Sequence, residues 1–591
     1  MIATETASGV LDGFARVVAL RPDAPAVSCG NTRLDYGELD ARANALAHRL
    51  SDCGVGLETV VALAVDRSVD LAVGVLGVLK AGAAYLPLDR EWPLPRTQAV
   101  VAEASASVLV TDREHHPFAD AVDWEFLVVL DGDHSTRAPA RTTTRDALQY
   151  VIYTSGSTGQ PKGIAMSHGP QITLLEWCLE HYATTPVALQ YFPLTTDVAS
   201  LELFAAWWAG GEVVIATDAE RYDIDALIDV IERRSVSRVL LPVRVLHELA
   251  RRLADTPERL ASVREFITTG DKLTITPALR ELLERLPESI LDDHYGSTEI
   301  NVVTAPRLVA PTAEWPDRPP LGRPIAGARI YVLDDALNPV PPNVLGEMYV
   351  GGEPLSRGYL RRGNLTAEAY LPDPFNETPG ARIYRTGDLA RWRSDGVLVS
   401  SGRRDSQVKF RGYRLELGEI EALLRLHEGV AGAAAVVRER ENEEPLLIAY
   451  VTSALPLGEV LHIEELRRHL SEQLPAYMMP DMLVVLDEFP LTESGKIDRR
   501  RLPSPEDVTT RFVAPRDELE AEIAAVWAES LGVDELGVRD NFFRLGGHSL
   551  LVTRIVYELR DALGVDIPLE AMFRRPTVES LATEVRSLLT A

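Results

Sequence analysis

Across residues 10–400, short runs rich in Val, Ile and Leu alternate with longer stretches of helical period; the runs fall at 60–65, 108–110, 213–215 and 239–241. Runs this short fit strands, and strands separated by helices argue for α/β layers around largely parallel sheets. With 591 residues the chain has room for about three to five compact units, each with its own core. Pro and Gly thicken at 305–342 and 372–380, where extended segments and turns are expected instead of helices. Composition shifts again after Gly402, and 403–500 reads as a smaller α+β unit with helices near 417–426 and 463–474. Leu502-Pro503-Ser504-Pro505-Glu506-Asp507 reads as a linker, because proline removes backbone donors and blocks helix. Beyond it, Leu519, Ile523, Val526 and Trp527 fall on one helical face and Leu551, Ile555, Leu559 and Ala562 on another. Residues 517–591 are thus expected to form a small helical bundle with no pocket of its own.

Acidic residues outnumber basic ones by 88 to 60, a net charge of -28. That field repels a nucleic-acid backbone and an anionic membrane surface, so neither is expected as a partner. A triphosphate would have to be held by local donors and a metal ion. Cys29, Cys53 and Cys178 are too few and too scattered for a disulfide framework or a zinc site, which fits a reducing cytoplasm. Residues 1–14 have no basic start and no sustained apolar run, so they do not read as a signal peptide. The apolar stretch 71–88 is interrupted by Lys80 and three glycines; it reads as buried helix plus strand and not as a membrane span.

The most specific segment is Tyr150-Val151-Ile152-Tyr153-Thr154-Ser155-Gly156-Ser157-Thr158-Gly159-Gln160-Pro161-Lys162-Gly163. A β-type run leads into a loop where glycines permit unusual backbone angles, hydroxyls offer donors and a lysine supplies a point charge. Such a loop suits an oligophosphate. It is not a Walker loop, since Lys162 neither follows glycine nor precedes Ser or Thr.

With five further motifs in order, the chain resembles the adenylation domains of nonribosomal peptide synthetases, within the adenylate-forming superfamily. The motifs are Leu79-Lys80-Ala81-Gly82-Ala83-Ala84-Tyr85-Leu86-Pro87-Leu88-Asp89, Tyr295-Gly296-Ser297-Thr298-Glu299, Tyr384-Arg385-Thr386-Gly387-Asp388-Leu389, Gly402-Arg403-Arg404-Asp405-Ser406-Gln407-Val408-Lys409 and Ser494-Gly495-Lys496-Ile497-Asp498-Arg499. The resemblance implies a multidomain α/β architecture: a large layered subdomain at 1–403, a small α+β subdomain at 404–502, a linker at 503–514 and a four-helix carrier at 515–591. It also implies roles. Thr154, Ser155, Gly156, Ser157, Thr158 and Lys162 would hold ATP phosphates, Tyr295 would stack on adenine, and Thr298 would contact phosphate. Glu299 would hold Mg²⁺, a hard cation that prefers carboxylate oxygen. Asp388, assisted by Arg403, would accept the ribose hydroxyls, and Lys496 would neutralise charge developing at the α-phosphate. Taken singly, Glu299 and Asp388 also read as helix caps and Lys496 as a solvated lysine. The chain departs from the family at Ser297, where proline is usual, and at Thr196, where an aromatic residue usually walls the pocket.

In Asp540-Asn541-Phe542-Phe543-Arg544-Leu545-Gly546-Gly547-His548-Ser549-Leu550 a serine opens a helix after two glycines. By itself that is an ordinary N-cap, but the segment resembles the attachment site of peptidyl carrier proteins, where Ser549 would bear 4'-phosphopantetheine. Residues 513–591 hold 14 acidic and 8 basic side chains, so basic partner surfaces are plausible. His115-His116-Pro117-Phe118-Ala119-Asp120 imitates a condensation motif but lacks its closing glycine, and reads as a loop coincidence. There is no Gly-x-Ser-x-Gly nucleophile elbow.

By the resemblance, Asp197 pairs with the ammonium of an α-amino acid, and Val198, Leu201, Leu240, Ile267, Thr269, His294, Val302 and Val303 line the pocket with Lys496. A buried carboxylate needs a cationic partner, which favours amino acids over fatty or aryl acids. The lining is similar to proline-type pockets, with Leu201 and Thr269 as departures. Proline is the first expectation; substituted proline, pipecolate or a small aliphatic amino acid follow, because one methylene discriminates by only about 1 to 3 kcal/mol. His294 also reads as a core histidine.

The implied function is ATP-dependent formation of an aminoacyl adenylate and transfer to the carrier thiol, in natural-product and antibiotic biosynthesis. A hinge at Asp405 would remove Lys496 and let the arm enter along a passage that includes Gly412. Implied partners are a phosphopantetheinyl transferase, a downstream synthetase or tailoring enzyme, and a small helper protein where folding needs one. The rival readings are a fatty or aryl acid ligase using coenzyme A, and a carrier scaffold with an inert platform.

Overall fold

Strands Val60–Ala64 and Val108–Thr111 are buried at every position, which is what apolar runs without alternation produce when both faces of a sheet are covered. The computed structural model describes residues 7–589 apart from 114–115, 141–142, 157–159, 183, 405–406, 412, 441–442, 456–460, 493–496, 505–512, 532, 534–535, 541, 543–544, 546–548 and 566. The chain clusters into two compact units. The first is Met1–Arg90, Thr97–Thr154 and Pro161–Asp405; the second is Glu91–Arg96, Ser155–Gln160 and Ser406–Ala591.

The first unit holds three sheets. In one, Val187–Gln190, Glu212–Ile215, Arg238–Pro242, Glu265–Thr269 and Ile290–Ser297 run parallel, and Asn301–Thr304 closes an edge antiparallel. In another, Leu148–Thr154, Ala84–Pro87, Val60–Ala64 and Val108–Thr111 are parallel, and Lys162–Ser167 returns antiparallel to Leu148–Thr154. The third is antiparallel throughout, built on Ala328–Leu333, Gly346–Gly352, Arg382–Trp392 and Leu398–Arg403. Parallel pairing thus governs the cores of two sheets and not the third, whose neighbouring strands are all antiparallel.

The 71–88 stretch is the helix Val69–Lys80 followed by the strand Ala84–Pro87, as expected. Ten consecutive helix residues, Leu71 to Lys80, are buried, so the helix is apolar all round. Lys80 is accommodated by Asp40 at 2.6 Å and Asn44 at 2.7 Å. Among the described residues no helix is long and apolar enough to cross a membrane.

The second unit contains a hairpin, Gln407–Phe410 with Tyr413–Glu416, and the three-stranded sheet Val430–Arg440, Glu443–Ser453 and Met482–Leu486. Helices Leu417–Arg425 and Ile463–Ser471 accompany them. Four further helices follow: Glu518–Leu531, Ser549–Leu563, Leu569–Arg574 and Val578–Leu589. Ile523 and Trp527 are buried as the spacing predicts, but the second helix buries Val552, Ile555, Val556 and Leu559, while Ala562 is exposed. Ile555 and Leu559 thus hold the expected face, which is wider by Val552 and Val556.

His116 accepts a hydrogen bond from Phe118 N at 3.2 Å and caps the helix Pro117–Ala121. The condensation-like string is therefore a helix start. His115 lies outside the described residues.

His168 and His294 are buried, and burial pushes each imidazole down to about 4. The unfolded chain binds these protons near pH 6.5 and the folded chain does not, so the stability they carry is present above about pH 6.5 and lost as pH falls toward 4. The loss is on the order of 3 kcal/mol per histidine. We expect the urea midpoint to fall steeply between pH 6.5 and 4.5, with a shallower slope in His168→Asn.

Candidate active site

The strand Ile290–Ser297 ends beside Glu265–Thr269, with Thr269 opposite His294. The chain then turns through Thr298 and Glu299 and returns as Asn301–Thr304. This reversal requires glycine at 296, where a Cβ would stand 1.7 Å from the Asn301 carbonyl oxygen. Asn301 takes φ +52°, a left-handed angle that asparagine tolerates.

Glu299 is fully buried. Its Oε1 accepts the Tyr359 hydroxyl at 3.1 Å and lies 3.4 Å from Lys162 Nζ. The same ammonium sits 4.7 Å from the Tyr359 ring centroid. The structure therefore joins two residues singled out in sequence, Lys162 and Glu299, through one that was not. Tyr359 carried no sequence signal, since a lone Gly-Tyr pair is common.

Asp197 opens the helix Asp197–Trp208, where the positive end of the helix favours a carboxylate. Thr298 Oγ1 donates to Asp197 Oδ1 at 3.0 Å. Burial nevertheless pushes the Asp197 carboxyl up, Thr298 lowers it in part, and nearby Glu299 raises it again. A cation placed against this group would relieve that strain on its charged form.

Asp388 stands opposite Arg403 in the sheet register. Arg403 Nη1 donates to its Oδ1 at 2.8 Å, and the Tyr295 hydroxyl donates to its Oδ2. A carboxylate offers about four lone-pair sites, so these two donors leave acceptor capacity for a ligand diol. Tyr295, expected as the adenine platform, is thereby fixed through its hydroxyl.

Thr154 ends the strand Leu148–Thr154 opposite Lys162. Among the described residues its hydroxyl and that of Ser297 are buried with no hydrogen-bond partner. Orphaned buried hydroxyls are rare, and a ligand rich in acceptor oxygens would satisfy both. ATP fits that donor set. Glu299 would offer Mg²⁺ a carboxylate oxygen, a ligand type this hard cation prefers, beside the nucleotide's own oxygens.

Within the second unit, Ser155 Oγ donates to Arg414 O and accepts from Glu416 N, both at 3.0 Å. Gly156 N donates to Glu419 Oε2 at 3.1 Å, and Arg96 Nη1 donates to Glu419 Oε1 at 2.8 Å. The Gly156 amide thus faces an anion. Ser157, Thr158, Asp405, Gly412 and Lys496 lie outside the described residues, as does the side chain of Ser549. The Ser549 backbone starts the helix Ser549–Leu563.

In the expected pocket, Leu240 is the register partner of Ile267, and both are buried, as are Leu201 and His294. Val198 and Thr269 are partly exposed. Thr269 Oγ1 donates to His294 O at 2.8 Å, which satisfies its hydroxyl. His294 Nε2 lies 2.8 Å from Tyr182 Oη, a second partner that sequence did not show, while its Nδ1 is buried without one. Val302 packs against the cluster holding Leu201, Leu240 and Ile267, whereas Val303 is buried with Ile300 and Ile330. Adjacent strand residues face opposite sides, so the two valines stand in different surroundings.

Residues 14–360 match the AMP-binding enzyme family. The chain belongs to the AMP-binding enzymes. The AMP-binding enzyme C-terminal domain matches at 419–496 and a phosphopantetheine attachment site at 521–585. This AMP-binding enzyme is 37% identical over 584 residues to tyrocidine synthase 2 of Brevibacillus parabrevis, covering 97% of this chain and 16% of that protein. It is 40% identical over 586 residues to phosphinothricin tripeptide synthetase PhsB of Streptomyces viridochromogenes, covering 95% of this chain and 48% of that one. The chain therefore spans less than half the length of either synthetase. Holo-PA1221, an NRPS protein containing adenylation and PCP domains bound to a vinylsulfonamide inhibitor, superposes with a TM-score of 0.78 at 28% identity, covering 98% of this chain and 97% of that one. The large domain, small domain and helical carrier domain occur in the same order in this AMP-binding enzyme.

Proposed function

We propose that this chain activates an α-amino acid with ATP as an aminoacyl adenylate and loads it onto an arm carried by Ser549. The observation that carries the reading is Asp197: a carboxylate at a helix start, raised by burial, above an apolar pocket and linked by Thr298 to the turn that holds Glu299. Its remaining need is a cation, and the substrate ammonium is one.

The amino acid carboxylate attacks the α-phosphorus of ATP and pyrophosphate leaves. Lys162 lies near the phosphates, Thr154 and Ser297 donate to oxygens, and Asp388 with Arg403 orients the ribose. Lys496, from the small subdomain, neutralises the charge that grows at the α-phosphate. Phosphopantetheine on Ser549 would supply the thiol that takes the aminoacyl group from the adenylate, with AMP as the leaving group. We assign the large subdomain to 1–403, the small one to 404–502, the linker to 503–514 and the carrier to 515–591, with the hinge at Asp405 and the arm's passage at Gly412. Proline remains the first candidate substrate, followed by substituted prolines, pipecolate and small aliphatic amino acids. A phosphopantetheinyl transferase and a downstream synthetase are the corresponding partners.

Amino-acid-dependent exchange of labelled pyrophosphate into ATP tests the reading. A signal from one amino acid class is expected, and exchange that does not depend on any amino acid would refute it. In the same assay Asp388→Ala loses two charge-assisted hydrogen bonds near the nucleotide, each typically about 1.5 to 3 kcal/mol. We expect the KM for ATP to rise at least tenfold, and full exchange at wild-type KM would remove Asp388 from the nucleotide site.

A further inference from the structure

Thr298 has a place in two sites at once. Its Oγ1 donates to Asp197 Oδ1 at 3.0 Å, yet the same hydroxyl is the one assigned to a nucleotide phosphate. The other hydroxyls given that task, those of Thr154 and Ser297, are buried with no hydrogen-bond partner among the described residues. Thr298 differs from both in having already committed its donor to a carboxylate. A hydroxyl carries one proton, and an ionised carboxylate and a phosphate oxygen both only accept. The Thr298 donor therefore serves one of them at a time.

The turn that carries Thr298 is held from several sides. Ile300 N donates to Ser297 O, and Ser356 N to Glu299 O, each at 2.9 Å. At its far end Asn301 is buried, and its Oδ1 accepts from Gln171 Nε2 at 3.0 Å and from Tyr150 Oη at 3.3 Å. With the backbone fixed in this way, the hydroxyl is redirected by rotation about Cα–Cβ, and a β-branched side chain has only a few discrete staggered positions. A Thr298 hydroxyl that turns to a phosphate leaves Asp197.

Each substrate changes what that rotation costs. Among the described residues Thr298 is the side-chain donor to Asp197, and its departure leaves burial and the charge of Glu299 acting against the carboxylate. Nucleotide bound alone breaks this bond with nothing to replace it. With an amino acid in place, the ammonium already donates to Asp197 and the same rotation costs less. Resting on the amino-acid activation proposed above, we propose that Thr298 couples the two substrates, so that nucleotide and amino acid each bind more tightly when the other is present, because the ammonium replaces the hydrogen bond that Thr298 turns to the phosphate. Linkage makes the effect reciprocal, and such couplings are usually about fivefold or more.

Calorimetry with AMP and the full chain, with no amino acid present, reads the shared bond. Asp197→Ala and Asp197→Asn both remove the negative charge, but the asparagine amide oxygen still accepts from Thr298, whereas alanine releases the hydroxyl. Asp197→Ala is expected to bind AMP about fivefold more tightly than Asp197→Asn, a gain that a variant merely disturbed in its fold does not produce. In a Thr298→Val background the difference between the two is expected to vanish, and Thr298→Ser, which keeps a hydroxyl, is expected to retain it. A second measurement adds the amino acid that supports the strongest pyrophosphate exchange, proline being tried first. At saturation it is expected to lower the wild-type Kd for AMP about fivefold, and Thr298→Val is expected to lose most of that fall. AMP binding by Asp197→Ala no tighter than by Asp197→Asn, a gain that survives Thr298→Val, or a wild-type Kd unmoved by the amino acid overturns the coupling and leaves amino acid activation in place. Absence of exchange with every amino acid overturns the activation reading itself.

Discussion

Ser549→Ala abolishes covalent loading of labelled amino acid onto the chain, while amino-acid-dependent pyrophosphate exchange continues. The expected effect is all-or-none, because alanine has no hydroxyl through which a phosphodiester could be formed. Ser549 begins the helix Ser549–Leu563, whose packing rests on the bundle contacts of Trp527, Ile555 and Leu559. The measurement is acid-stable label on the intact chain after treatment with a phosphopantetheinyl transferase, coenzyme A, ATP and the amino acid. Equal labelling of the variant would mean that the arm sits elsewhere. Loss of exchange together with loading would mean that the variant fails to fold.

Asp197→Ala should lower kcat/KM for the amino acid by about a hundredfold or more, since leaving one partner of a buried ion pair alone costs about 3 to 5 kcal/mol. The pH dependence separates this from a packing defect. The free enzyme holds the Asp197 proton to higher pH than an ordinary aspartate, chiefly because of burial, and the substrate ammonium requires the carboxylate. In the wild type the KM for the amino acid is therefore expected to rise as pH falls through this raised pKa. Asp197→Asn has no proton to lose, so that acidic limb should vanish. A variant that keeps the limb, or keeps wild-type kcat/KM, would show that Asp197 does not hold the ammonium.

Much of this was legible in sequence because it is local. The strand–loop sequence from Tyr150 to Gly163, the turn Tyr295-Gly296-Ser297-Thr298-Glu299 and the pair Asp388 and Arg403 all have short-range causes. Gly296 is needed where a Cβ would meet the Asn301 oxygen at 1.7 Å, and such a demand leaves a mark in the chain. The apolar helix at 69–80 was legible for the same reason, since burial on every side leaves no polar stripe. In the helix 549–563 the expected face holds at Ile555 and Leu559, but Val552 and Val556 are buried with them and Ala562 is not. Several positions are equally apolar there, and only packing against neighbours selects among them.

What the sequence determined by itself was thus the chemistry available: glycine-bearing turns, the carboxylates at 197, 299 and 388, the lysine at 162 and the order of the domains. Which groups meet was decided by tertiary structure. Tyr359 reaches Glu299 from 60 residues away, Thr298 reaches Asp197 from 101, and Tyr182 reaches His294 from 112. No local rule records such pairings, because they follow from how parallel strands and their crossover helices stack.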